Sequence, residues 1–145
     1  MPLQIKGTKD SWNIYVNGKL VKPSLKLCSS RIIYRYKGWI IKINDDEYDD
    51  QSEFEFDIWK TLSPKHKRYF AKIVQYGHIR SNHFMYRRTY VVQKFIRGKH
   101  PRGISRIMTR AEKIGALYNV ADIWADNVIQ ISKTGFKIVD YGYSA

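Results

Sequence analysis

Asp122-Ile123-Trp124-Ala125-Asp126-Asn127, followed after a short hairpin by Lys137-Ile138-Val139-Asp140-Tyr141-Gly142, sets an acid, an amide five positions later and a second acid around two short strands. The strands read as Asn127 to Ile131 and Phe136 to Val139, turning at Lys133-Thr134-Gly135. Asp and Gly favour turns on their own. Asp122 therefore also fits a helix-end acid, and Asp140-Tyr141-Gly142 a plain turn closing the hairpin. What separates the two readings is the order of the rest of the chain.

Upstream, Trp12 to Val16, Asn17-Gly18 and Lys19 to Val21 form a strong hairpin signal, because Asn-Gly supplies the two positive-φ positions of a tight turn. A second hairpin is expected at Lys37-Gly38, joining Arg31–Tyr36 to Trp39–Ile43, both rich in β-branched and aromatic residues. Helical periodicity starts near Ser52, with Phe54, Ile58 and Leu62 on one face, and Ser63-Pro64 ends it. Two more strands follow, Ala71 to Tyr76 and Tyr90 to Ile96. From Gly103, the positions Ile104, Ile107, Met108, Ala111, Ile114, Leu117 and Tyr118 fit a buried helical stripe. The sum is an α+β chain with antiparallel strands, a helix, strands, a longer helix and a final strand pair.

With these residues in place, the segment from Asp122 to Gly142 resembles the catalytic loop and Asp-Phe-Gly motif of the protein kinases. In that family a catalytic Asp precedes a metal-binding Asn by five positions and a hairpin leads to the second Asp. The likeness runs from about Leu25 to the end of the chain. It implies a minimal kinase-like fold, with residues 1–96 as an N-lobe-like antiparallel sheet carrying one helix and 97–145 as a truncated C-lobe.

The resemblance also implies the site. Lys42 stands where the family's third strand holds its phosphate-pairing lysine, with Glu55 on the next helix as its partner and Glu53 as a lesser choice. Gln93 would be the gatekeeper, with backbone groups of Lys94 and Ile96 meeting adenine. Asn127 and Asp140 would hold Mg²⁺, and Asp122 would accept the proton of an attacking hydroxyl. ATP and Mg²⁺ are the implied cofactors, since phosphoryl transfer depends on positioned charge around the phosphates. Taken alone, a strand Lys or a helix Glu is more often a solvated side chain.

Departures from the family pattern are equally specific. Val120-Ala121 replaces the usual His-Arg, which removes a brace, and Trp124 replaces a basic residue that would touch phosphate. Leu27-Cys28-Ser29-Ser30 stands in place of a glycine-rich loop, leaving the amides of Ser29 and Ser30 to face phosphate. The sequence ends at Tyr143-Ser144-Ala145, ahead of an activation segment and helical C-lobe. Small kinase-like proteins of this kind are similar to ones encoded by bacteriophages, which implies a host target.

Composition bounds the alternatives. At 145 residues, 43% hydrophobic and 14% aromatic, the chain is a single globular domain, and no apolar run approaches the roughly 20 residues that cross a bilayer. The lone Cys28 forms no internal disulfide and the amino terminus has no secretory pattern, so a reducing cytoplasm is expected. His66, His78, His83 and His100 lack metal-ligand spacing.

The formal charge of +13 is uneven: Asp45-Asp46-Glu47, Asp49-Asp50, Glu53, Glu55 and Asp57 cluster ahead of a stretch, Ile58 to Ala111, that holds no acid. Such a basic stretch attracts nucleotide phosphates, nucleic acid or an acidic host protein, or is simply solvated. The sequence therefore supports an ATP- and Mg²⁺-dependent phosphotransferase. The alternative is a catalytically silent kinase-like module that binds a host protein or nucleic acid through its basic face. An oligomer is compatible with either, and no membrane partner is expected.

Overall fold

The computed structural model describes residues 2–9, 11–26, 31–44, 50–80, 87–120 and 123–142, which form two compact units. The first comprises Met1–Glu53 with Ile73–Phe95, the second Phe54–Lys72 with Ile96–Ala145. Both strands and helices are present and the sheets are antiparallel, so the chain is α+β.

In the first unit, β1 (Ile5–Gly7), β2 (Ile14–Val16) and β3 (Lys19–Val21) make a three-stranded sheet in chain order. The β2–β3 turn is the expected one: Asn17 and Gly18 take φ of +50° and +81°. A five-stranded sheet is built from β4 (Leu25–Lys26), β5 (Arg31–Tyr36), β6 (Trp39–Asn44), β7 (Ile73–Ile79) and β8 (Arg88–Lys94), in the order β4-β5-β6-β8-β7. Lys37, at φ +53°, turns β5 into β6.

Because side chains alternate along a strand, this sheet has two distinct faces. Ile32, Tyr34, Ile41, Ile43, Tyr90 and Val92 share one, and pack with Ile14 and Val16 into the apolar core. The opposite face carries Arg31, Ile33, Lys42, Asn44, Val91 and Gln93, all buried. β1 and β7 are joined through Gln75, whose amide mimics a strand neighbour. It accepts the N–H of Leu3 at 2.7 Å and donates to the Leu3 carbonyl at 2.8 Å.

Helix α1 (Gln51–Thr61) forms where expected but buries another face. Phe54 is exposed and Ile58 only half-buried, while Gln51, Ser52 and Glu55 are fully enclosed. Hydrogen bonds account for the inversion. Ser52 Oγ donates to Asn44 Oδ1 at 2.6 Å, and Asn44 Nδ2 donates to Thr89 Oγ1 at 2.7 Å, so polar side chains seat the start of α1 on the sheet.

The second unit holds the remainder of α1, a short α2 (Pro64–Lys67), α3 (Arg106–Ala116) and the antiparallel pair β9 (Val128–Gln130) and β10 (Phe136–Ile138). Ser105 caps α3 by accepting the N–H of Met108 at 3.2 Å. The buried stripe is Ile107, Met108, Ala111 and Gly115, shorter than the sequence suggests. Ile104 precedes the cap and is 99% exposed, and Leu117 follows the last turn at 65%.

Gly98 lies against β9, where a Cβ would sit 2.3 Å from the Gln130 carbonyl oxygen. Phe70, T-shaped to both Tyr118 and Tyr141, centres the apolar interior. Among the described residues no helix is long and apolar enough to cross a membrane.

Candidate functional site

Lys42 enters the sheet's second face by register: on β6 it stands opposite Ile33 of β5 and Val91 of β8. Only 3% of it is exposed, which is unusual for a side chain whose charge normally keeps it in water. Gln93, the expected gatekeeper, is buried on the same face, opposite Ile40. Lys94 ends β8 as an exposed residue, and the following N–H, of Phe95, donates to the Gly38 carbonyl at 2.9 Å. Ile96 begins the part of the chain that belongs to the second unit. Ser29 and Ser30 lie outside the described residues, as do Cys28 and Asp122.

The second unit contains Glu55, Asn127 and Asp140, and local bonding explains how each is held. Glu55 is fully buried, and its Oε2 accepts the backbone N–H of Tyr141 at 3.0 Å. Tyr141 is itself enclosed, and its hydroxyl donates to the Ala71 carbonyl at 2.8 Å. On the other side of Asp140, the N–H of Val139 donates to the Asn127 carbonyl at 2.7 Å. Asp140 is thus half-buried between two tethered peptides.

The segment is also stitched to residues 69–71. Ile138 donates to the Tyr69 carbonyl at 2.7 Å and Ala71 donates to the Ile138 carbonyl at 2.8 Å. A chain fixed at this many points presents the Asp140 carboxylate with little conformational freedom to lose.

Asn127 closes a single 3-10 turn, Ala125–Asn127, and its side chain braces that turn: Oδ1 accepts the Trp124 N–H at 2.9 Å. An amide oxygen has a second lone pair, so this bond leaves Oδ1 able to meet a cation. One carboxylate and one carboxamide are hard oxygen donors of the kind Mg²⁺ accepts, that ion usually taking one or two carboxylates with phosphates and water. In donor type, these two side chains suit that ion.

The structure therefore gathers Glu55, Asn127 and Asp140 in one unit around the Val139–Tyr141 backbone, and sets Lys42 and Gln93 on one sheet face in the other. No protein-family model matches the chain, and no curated protein matches it either. Three participants escape a reading of the sequence. Tyr141 supplies an anchoring hydroxyl, whose only advance sign is Tyr standing where the kinase motif has Phe. Asn44 and Ser52 tie the first turn of α1 to the sheet of their own unit, and nothing in their local spacing announces it.

Proposed function

We propose that this chain is a minimal protein-kinase-like phosphotransferase that uses ATP with Mg²⁺ and acts in the cytoplasm, on a host target if the gene is a phage's. The observation that carries the proposal is the bond from the Tyr141 N–H to the buried Glu55 carboxylate. It ties the residue taken as lysine partner to the peptide that follows the residue taken as metal ligand, two positions that the same kinase resemblance singles out. The burial of Lys42 supports it further, because a lysine kept out of water is unusual unless an anion is at hand or its proton is given up.

In the proposed chemistry Lys42 would pair with the α- and β-phosphates and be oriented by Glu55. Asn127 and Asp140 would hold Mg²⁺, which when bound neutralises charge on the β- and γ-phosphates. Asp122 would take the proton of the acceptor hydroxyl as that oxygen bonds to the γ-phosphorus. The bond to the β–γ bridging oxygen breaks, and ADP leaves. The amides of Ser29 and Ser30 would face the phosphates, and the backbone of Lys94 and Ile96 would meet adenine beside Gln93.

The test is calorimetric titration of ATP with and without Mg²⁺, followed by transfer of radiolabelled γ-phosphate to the protein itself, generic acceptors and host lysate. Mg²⁺-dependent binding and label transfer are expected. A protein that neither binds Mg-ATP nor labels anything would leave the silent binding module as its function.

A further inference from the structure

In the second unit, α2 with the residues just after it and one face of α3 line an open surface cleft of about 420 Å³. Lys65, His66, Arg68, Tyr69, Arg110 and Lys113 line it, and Ile114 adds one apolar side chain. No Asp or Glu among the described residues is part of that lining. Glu112, the acid beside Lys113, belongs to a different cleft with Ile104 and Trp124. None of the lining residues takes part in the nucleotide chemistry proposed above.

Part of the lining is held by bonds within the unit. Ser63 donates its N–H to the Tyr118 hydroxyl at 3.2 Å, and its Oγ bonds His66 Nδ1 at 2.9 Å, so the start of α2 is tied to the end of α3. Arg110 donates through Nη2 to the Tyr69 hydroxyl at 3.0 Å and through Nη1 to the Thr134 carbonyl at 3.4 Å. Arg68 also donates to the Tyr69 hydroxyl and lies 4.7 Å from its ring centre. A guanidinium has five N–H donors, so both arginines keep several for a ligand. Lys65 and Lys113 form no ion pair among the described residues.

We propose that this pocket binds the phosphate monoester of a phosphorylated protein side chain. Two forked guanidinium groups and two ammonium groups converging without a carboxylate match a compact dianion with three acceptor oxygens. The volume lies within the roughly 300–1,000 Å³ of ligand clefts, so it admits the carrier side chain as well as the phosphate. Tyr69 stacks on Phe136 with ring centres 5.1 Å apart and carries arginine besides, so no aromatic face is left to stack a base. That separates the site from a single-stranded nucleic-acid groove. Consistent with its surroundings, the Tyr69 phenol is held below its ordinary pKa, first by the Arg68 hydrogen bond, which burial, the next-largest effect, opposes, and then by the charges of Arg68 and Arg110.

The experiment measures fluorescence anisotropy with the full chain and three probes: a labelled phosphoserine peptide of otherwise neutral sequence, its unphosphorylated twin, and a single-stranded DNA of similar length. Inorganic phosphate serves as competitor. The phosphopeptide should bind about 10- to 100-fold tighter than its twin, the range expected for one or more charge-assisted hydrogen bonds, and inorganic phosphate should displace it.

Arg68→Met with Arg110→Met should abolish the difference. Arg102→Met with Lys133→Met, the same charge loss outside the pocket, should preserve it. Arg110→Lys keeps the charge without the fork and should lose part of the preference, which decides the matter should the double variant fail to fold. Equal affinity for the two peptides, or equal loss in both double variants, would overturn the proposal. So would tighter DNA binding that falls steeply with salt and ignores inorganic phosphate, which would make the face a nucleic-acid surface.

Discussion

Glu55, fully buried on α1, accepts the backbone N–H of Tyr141 from 86 positions along the chain. Removing the carboxylate strands a buried donor, whereas replacing it with an amide keeps an acceptor oxygen in place. Glu55→Ala should therefore destabilise the protein by about 1–3 kcal/mol, read from the urea midpoint. Glu55→Gln should stay near the parent in stability yet, if the proposed phosphotransferase reading holds, lose phosphoryl transfer, because a neutral side chain would not serve the orienting role proposed for Glu55. If both variants are equally unstable and equally inactive, the residue is structural only.

Asp140 and Asp122 are assigned to different steps, so their variants should part company. Asp140→Asn removes charge from the metal site and should weaken Mg²⁺-dependent ATP binding in calorimetry. Asp122→Asn should leave ATP affinity nearly intact while lowering phosphoryl transfer by roughly 10²–10⁴-fold, as for loss of a general base. The reverse pattern would exchange the two roles.

Tyr141 differs from the kinase motif's Phe by the hydroxyl that donates to Ala71. Tyr141→Phe keeps the ring and removes that bond. Stability should fall by about 1 kcal/mol while the Mg-ATP affinity is unchanged. A gain in stability would mean that the hydroxyl is poorly satisfied.

The Tyr69 phenol should titrate below the ordinary value, because nearby cations favour its phenolate. Arg68→Met removes the largest cause and should raise it. Bound phosphopeptide should raise it too, by cancelling positive charge. Alkaline absorbance titration of the chain against Tyr69→Phe reads both shifts. Since the folded value lies under the unfolded one, any stabilisation is fully present above the unfolded value and is lost as pH falls through the folded one.

Gly98→Ala should be costly. The new Cβ would lie 2.3 Å from the Gln130 carbonyl, and the residue's φ of +157° disfavours a side chain. Strain and overpacking together suggest about 3 kcal/mol, measurable as a lowered Tm, with Gly103→Ala as a control whose Cβ meets open space.

The hairpins at Asn17-Gly18 and Lys37-Gly38 were legible because turn chemistry is local: the residues that bend the chain are the residues that name the bend. The inward face of α1 was not. Pattern reading places Phe54 and Ile58 inside, but Ser52 and Glu55 displace them through bonds to Asn44 and Tyr141, partners far away in sequence. β1 escaped for a similar reason, being three residues long and held partly by the distant Gln75. At the candidate site, Lys42 and Asp140 could be picked out by order along the chain. The tethers that hold Asp140 are backbone bonds and leave no trace in side-chain identity.

The chain passes between its two units at 53/54, 72/73 and 95/96. Neither unit is a contiguous piece, so no single cut separates them and no simple truncation isolates one. On the ribosome, residues 54–72 emerge ahead of β7 and β8 but must wait for residues 96–142 to complete their own unit. The first unit can close meanwhile, once β8 leaves the exit tunnel. Biosynthesis thus imposes a sequence in which the sheet carrying Lys42 can be finished while Glu55 still lacks Tyr141.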